Sequence, residues 1–120
     1  MAIPADAARF TRALDPHEEL DFLAPCEPLL ETGETIASYT LSVTAEGALL
    51  GLTIMSGAGR DHGLTNGNTA VKFWLTIDAL EKDDVAFDAG AALPLLLTFE
   101  TSSTPSRTRQ RTMLITVRQQ

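Results

Sequence analysis

The chain has 120 residues, of which 44% are hydrophobic and 21% charged, a balance typical of one globular domain and too apolar for a wholly disordered protein. Its net charge is −7 and it has one cysteine, Cys26, so an internal disulfide, a redox thiol pair and a thiolate-rich zinc site are excluded. No apolar run approaches the ~20 residues that cross a bilayer, and the N-terminus lacks the basic and apolar blocks of a signal peptide. We therefore expect a soluble protein made in a cytoplasm, with no membrane partner.

The first 14 residues carry widely spaced apolar anchors among alanines, with no clear period, and fit either a weak helix or an extended arm. We treat residues 1–14 as an N-terminal arm and residues 15–120 as one domain. In the segment that follows, Asp15 and Glu18 stand at the positions of a capping box, with Pro16 between them. This pattern predicts a single helical turn, ended by the prolines at 25 and 28, with a short strand possible near residues 19–23.

From residue 35 onward, apolar side chains recur at every second position, as in strands with one face toward solvent. The pattern predicts five strands, over residues 35–43, 49–55, 69–77, 92–101 and 110–118. In the first of them Ala37, Tyr39, Leu41 and Val43 share the predicted inner face. Gly51 indicates a bulge or a close approach by another strand, and Pro94, which lacks an amide proton, is expected at an edge or near a strand start.

Two connections between these strands have distinctive compositions. Residues 56–68 contain four glycines and two asparagines, and Asn66-Gly67 predicts a type I′ hairpin turn that feeds the third strand. Residues 78–90 hold five acidic residues and predict a surface excursion, attached to the core by Leu80, Val85 and Phe87. Strands at this spacing predict an all-β fold, a single antiparallel β-sandwich, whose strand order the periodicity does not determine.

The charges are unevenly distributed along the chain. All 16 acidic residues precede residue 101, whereas the last twenty residues carry four arginines and no acid. The overall acidic charge disfavours binding to nucleic acid. We expect the basic end to meet an acidic surface, such as a second copy in a head-to-tail ring; the alternative is that these arginines are solvated or prevent pairing at a sheet edge. The candidate interface residues are Ile3, Phe10, Arg107, Arg109, Arg111 and Arg118.

No residue pattern predicts catalysis, a metal site or a cofactor. The two histidines, His17 and His62, lack the ligand partners of a zinc site and the context of a catalytic base. The glycine-rich segment is followed by no helix and no phosphate-binding lysine. The acidic residues of the excursion could collect calcium, but their spacing does not match an EF-hand loop, and Cys26 is expected to be a small buried apolar group.

Four short stretches resemble a group of small tailed-bacteriophage structural proteins. They are Asp15-Pro16 with Glu19-Leu20-Asp21-Phe22; Gly33-Glu34-Thr35-Ile36-Ala37-Ser38; Val71-Lys72-Phe73-Trp74-Leu75; and Thr101-Ser102 with Arg107 to Arg111 before a closing apolar strand. The chain departs from that pattern at Ala24-Pro25-Cys26, where the group has an aromatic-rich stretch, and at residues 78–88, where the group has a short glycine turn.

The resemblance implies a single immunoglobulin-like sandwich that acts in a phage virion. It implies a non-enzymatic adaptor or connector of the neck or tail, whose partners are connector, tail, fibre or capsid subunits and further copies of itself. In that interpretation the N-terminal arm is lent to a neighbouring subunit. The alternatives are a capsid decoration protein and a surface module that binds a ligand such as a glycan or calcium.

Overall fold

A computed structural model describes residues 8–120 as two packed β-sheets. The strands are β1 (Ala8–Arg9), β2 (Leu20–Pro25), β3 (Ile36–Val43), β4 (Leu52–Ile54), β5 (Gly63–Thr65), β6 (Ala70–Ile77), β7 (Ala91–Thr101) and β8 (Thr108–Val117). One short helix, α1 (Ala45–Leu49), follows β3, and single 3-10 turns lie at Glu27–Leu29 and Val85–Phe87. The predicted all-β sandwich is confirmed.

The first sheet, sheet A, has the order β1-β8-β7-β3, and the second, sheet B, has the order β2-β6-β4, with β5 also paired to β6. Neighbouring strands are antiparallel except for the short parallel pair of β1 with β8. The last two long strands, β7 and β8, run alongside each other over ten residue pairs.

The core lies between the inner faces of the two sheets. On β6 the predicted alternation is confirmed, with Val71, Phe73, Leu75 and Ile77 buried. The inner faces of β7 and β8 contribute a second set of buried side chains, which comprises Leu93, Leu95, Leu97, Phe99, Met113, Ile115 and Val117. Burial of so many large apolar side chains is the main favourable contribution to folding. Over residues 8–120, no helix is long and apolar enough to span a membrane.

Strand β3 differs from its prediction at its first two residues. A β-bulge separates the pairs Ile36–Thr101 and Ser38–Glu100, so Ala37 is the extra residue. Because a bulge shifts the alternation by one position, Ile36 is buried and Ala37 is exposed, and the predicted inner position of Ala37 is wrong. Beyond the bulge, Tyr39, Leu41 and Val43 are half-buried on the inner face as predicted.

The second predicted strand is shorter than expected because α1 occupies its beginning. The Thr44 side chain accepts a hydrogen bond from Gly47 N–H at 3.5 Å and caps α1. The chain leaves this helix through Gly51, whose φ is +82°, a conformation that glycine adopts without strain. A Cβ at Gly51 would lie 3.0 Å from Glu81 Cβ, so the predicted close approach is real but comes from a loop, not from a strand.

Strand β5 lies inside the segment that the sequence analysis assigned to a loop. It pairs with the first residues of β6 through a hairpin whose connecting residues Asn66, Gly67 and Asn68 all have positive φ. The turn predicted at Asn66-Gly67 therefore exists, within a longer connection in which three successive residues are left-handed. Because β4 and β5 pair with β6 at different residues, residues 56–62 project from the edge of sheet B; we call them the glycine loop.

The predicted capping box at residues 15–18 forms, but β2 begins soon after it. Asp15 N–H donates to Glu18 Oε1 at 2.9 Å, and His17 N–H donates to Asp15 Oδ1 at 2.8 Å. The turn closes with Glu18 N–H on Asp15 O, and Leu20–Pro25 then pairs with β6. The predicted short strand is thus present, and the expectation that the prolines end a helical turn is wrong.

The acidic excursion, residues 78–88, is attached to the core through one side chain. Phe87 is fully buried, whereas Leu80 and Val85 are 89% and 80% exposed, so their predicted attachment to the core is wrong. Asp78 N–H donates to Gly51 O at 2.8 Å, and Asp84 caps the 3-10 turn by accepting from Ala86 N–H. Gln119 N–H also donates to Phe87 O at 2.9 Å, so two backbone bonds and one buried aromatic ring position this segment, which we call the acidic loop.

Candidate interaction surfaces

Arg107, one of the candidate interface residues, is held by two carboxylates of its own chain. Its Nη1 donates to Glu31 Oε1 at 3.0 Å and its Nη2 donates to Glu34 Oε1 at 2.8 Å. The Glu34 side chain is only 4% exposed. The Arg107 guanidinium and the Glu31 N–H lower the pKa of Glu34 to about 2, because both favour the ionised carboxylate. Glu31, Glu34 and Arg107 form an ion-pair cluster that we call the latch.

The latch joins two of the stretches that carry the sequence resemblance. Ser102 N–H donates to Thr35 O at 2.8 Å, and Thr35 N–H donates to Ser102 Oγ at 2.9 Å. The Thr101 hydroxyl accepts from Arg107 N–H at 2.8 Å. Segments 33–38 and 101–111, about seventy residues apart in sequence, thus bind each other. Their polar residues stabilise the connection between β3 and the β7–β8 hairpin.

The other arginines of the C-terminal segment have different environments. Arg111 donates from Nη1 to the carbonyl oxygen of Pro25, at the end of β2. Arg109 and Arg118 form no ion pair within the part of the chain that the structure describes. Within the described residues, therefore, only Arg107 of the basic segment is neutralised by carboxylates, and Arg111 is held by a carbonyl oxygen that leaves its charge in place.

Of the two apolar interface candidates on the arm, Phe10 packs inside its own chain. Its ring centroid lies 5.3 Å from that of Phe22 and 5.9 Å from that of Phe73. Phe10 N–H donates to Leu114 O, and Leu14 is fully buried beside Val117. The arm from residue 8 onward thus covers the edge of sheet A. Ile3 lies outside the described residues.

An open groove of about 480 Å³ lies between the arm and β2. Asp21 lies 3.7 Å from both Arg12 Nη2 and Lys72 Nζ, so one carboxylate faces two cations and the set keeps one positive charge. The Arg12 guanidinium also lies 4.8 Å from the centre of the Phe22 ring. The groove therefore presents a solvated set of charges, with one positive charge in excess, on an aromatic base.

The two histidines occupy separate sites. His17 Nε2 lies 3.2 Å from Asp83 on the acidic loop, and His62 Nδ1 lies 2.6 Å from the Tyr39 hydroxyl. Cys26 is fully buried, as expected, and burial raises the pKa of its thiol. Among residues 8–120, no group of three or more His, Cys, Asp or Glu side chains is placed to hold a metal ion.

The glycine loop is anchored to both sheets. Arg60 lies 5.2 Å from the centre of the Trp74 ring on the outer face of sheet B, and its Nε lies 3.3 Å from Glu19 Oε1. His62 reaches Tyr39 on β3 of sheet A. Gly57 N–H donates to Asp61 Oδ1 at 2.7 Å, so this amide is used within the loop. The loop thus bridges the edges of the two sheets.

Strand β3 is a surface that the sequence analysis missed. It forms one edge of sheet A, and beyond its bulge it pairs with β7 through Val43. None of its eight residues is charged, and Ser38, Thr40 and Ser42 point outward while the half-buried apolar side chains point inward. The absence of charged residues from β3 is visible in the sequence. It indicates a pairing surface only because the strand lies at a sheet edge, which the tertiary structure decides.

The comparisons with known proteins add no relative to this picture. No protein-family model matches the chain, and no curated protein matches it significantly.

Proposed function

We propose that the protein is a non-enzymatic structural component of a tailed-bacteriophage particle, an adaptor or connector of the neck or tail that binds neighbouring virion subunits. The observation that carries the proposal is the position of the resembling stretches in the fold. Residues 33–38 and 101–111 bind each other through the latch, and residues 20–22 pair with residues 73–75 in sheet B. The resemblance therefore falls on residues that stabilise the sandwich.

The distribution of polar side chains supports a binding role. Glu34, Arg107 and Arg111 are engaged in structural contacts, and Asp21 in the groove beside β2 pairs with two cations. What the sandwich presents to a neighbour is an edge strand and extended surfaces. A small rigid sandwich can bind through main-chain pairing and surface contacts, which need no catalytic group.

The experiment is to purify particles made from the genome that encodes this chain and to search them for the protein by mass spectrometry. We expect the protein in the particles, and in its absence we expect electron micrographs of heads without tails or of tails without fibres. Location over the capsid surface, with intact tails in its absence, would support the decoration alternative. Particles that lack the protein and form normally without it would refute a structural role in the virion.

A further inference from the structure

The four sheet edges of the sandwich differ in how they are protected against pairing with another strand. On sheet A, β1 and the bridge at Leu14 cover the second half of β8, from Met113 to Val117, and the first half carries Arg109 and Arg111. On sheet B, β2 carries Asp21 and ends at Pro25, and the opposite edge consists of β4 and β5, which are three residues each and are separated by the glycine loop. Covering, charge, proline and interruption are the devices by which proteins block edge pairing.

Strand β3 has the bulge at Ala37, and the glycine loop reaches it through the side-chain contact of His62 with Tyr39, without a backbone bond to residues 38–43 among the described residues. From Ser38 to Val43 it pairs continuously with β7, with no proline and no charge. In the described chain, backbone bonds that link β3 to segments other than β7 occur only at its first residue, where Ile36 N–H donates to Asn68 O. The outward main-chain groups of residues 38–43 are therefore available to a further strand.

We propose that β3 pairs antiparallel with β3 of a second copy, so that two copies of sheet A form one continuous sheet around a twofold axis. The inference deepens the proposed binding function and rests on it only for its biological setting. It names a surface that the sequence pattern did not identify, and it replaces the expected head-to-tail contact between copies with a twofold one.

Charge restricts contact between two copies to a neutral part of the surface, and β3 provides one. The chain carries a net charge of −7, so two copies repel each other over most of their surfaces. The β3 edge is neutral, and a twofold axis perpendicular to the sheet places neutral residues opposite neutral residues. A strongly basic partner would find no acidic side chain on β3 itself to bind, whereas a second β3 meets no unfavourable charge along its strand.

The side chains of β3 are also complementary to themselves. In this arrangement Ser38, Thr40 and Ser42 of the two copies lie together on the outer face, where hydroxyl pairs are favourable across neighbouring strands. Tyr39, Leu41 and Val43, which are half-buried in one copy, lie beside the same residues of the second copy and lose part of their remaining exposure. Such a self-complementary contact is typical of a twofold dimer.

The test compares two variants that add the same charge to the same face of sheet A. Thr40→Lys with Ser42→Lys places lysines on β3, where they meet the lysines of the second copy. Thr108→Lys with Gln110→Lys places them at exposed positions of β8, two strands away from the edge. Light scattering during gel filtration over a dilution series gives the dimer dissociation constant, and circular dichroism checks that each variant is folded.

We expect the wild type to show twice the 12.9 kDa chain mass at high concentration. The β3 variant should dimerise about tenfold more weakly, because like charges directly opposite on paired strands are destabilising, and the β8 variant should match the wild type. A Thr40→Glu, Ser42→Glu variant mixed with the β3 lysine variant should restore a dimer. A wild type that stays monomeric, equal weakening by both lysine variants, or no rescue on mixing would overturn the inference.

These outcomes are separate from those of the proposed function. A monomeric chain that is nevertheless found in particles refutes β3 pairing and leaves the adaptor proposal standing. A β3-dependent dimer that is absent from particles refutes the virion role and leaves the pairing standing.

Discussion

The two ends of the sandwich, which lie at opposite ends of β7, use their charged residues in different ways. At the hairpin end, Arg107 binds Glu31 and Glu34, and the cluster joins loops that are distant in sequence. At the other end, the acidic loop carries most of its carboxylates in solvent, and Leu80 and Val85 are exposed beside them. Similar turn-rich, charged sequences thus serve as a structural connection at one end and as a solvated surface at the other.

This difference shows that a charged side chain is structural when the fold supplies an opposite charge and removes water from the pair. Glu34 meets both conditions, because its side chain is nearly buried and Arg107 lies at hydrogen-bond distance. Exposed carboxylates of the acidic loop do not meet the second condition, and exposed ion pairs contribute little to stability. The following substitutions test the comparison.

The largest effect is expected where the acidic loop reaches the core. Phe87→Ala should lower the free energy of unfolding by about 3–5 kcal/mol, because it removes a fully buried aromatic ring and leaves a cavity. Val85→Ala, in the same 3-10 turn, should change it by less than about 0.5 kcal/mol, since Val85 is exposed. Urea unfolding of both variants measures the difference, and comparable losses would mean that Phe87 does not anchor the loop.

At the hairpin end, Arg107→Ala should lower the melting temperature by several degrees, because it leaves the nearly buried Glu34 carboxylate without its cation. Arg109→Ala, two residues further along at the start of β8, is the matched control, and it should leave the melting temperature almost unchanged. Calorimetry of the two variants at neutral pH makes the comparison. An equal decrease in melting temperature for Arg109→Ala would show that the latch does not stabilise the protein more than a single unpaired arginine does.

The stability supplied by Glu34 should depend on pH. Its pKa is about 2 in the fold and 4.5 as an ordinary glutamate, so the folded state favours the ionised form. The contribution is present above about pH 4.5 and is lost as the pH falls toward 2. Wild type should therefore be more stable than Glu34→Gln near neutral pH, and this advantage should shrink over that acidic range. A stability difference between the two proteins that stays constant over this pH range would contradict the ion pair between Glu34 and Arg107.

The smallest effect is expected where the acidic loop contacts Gly51, in the turn between α1 and β4. Gly51→Ala should cost about 1 kcal/mol more than Gly57→Ala, because a Cβ at Gly51 lies 3.0 Å from Glu81 whereas Gly57 faces open space. Both glycines have positive φ, 82° and 77°, so the backbone strain is similar and the difference isolates the contact. Equal decreases in the free energy of unfolding, measured with urea, would show that the acidic loop does not pack against Gly51.

The strands whose inner faces are regular could be predicted from the sequence, and those whose position depends on a neighbour could not. On β6 the alternation of Val71, Phe73, Leu75 and Ile77 is unbroken, and the structure confirms it. Strand β5 is three residues long and exists only because β6 offers its main chain, so no local pattern identifies it. The bulge at Ala37 likewise depends on the register with β7.

The candidate interface residues show the same division. Arginines at 107, 109, 111 and 118 are recognisable as a basic segment in an otherwise acidic chain. The partners of Arg107 and Arg111 lie about eighty residues away in sequence, and a spacing of that length carries no local signal. Only the folded chain separates Arg107 and Arg111, which bind inside the protein, from Arg109, which has no ion pair in the described residues.

The amino-acid sequence by itself determined the fold class, because a period of two in apolar side chains can bury one face only in a sheet, and two such faces can cover each other. It also determined the surplus of acidic charge. The tertiary structure decided which carboxylates are neutralised, which apolar residues of the acidic loop reach the core, and which strand lies at an open edge. These properties depend on contacts between residues distant in sequence, and such contacts exist only after the sheets have paired.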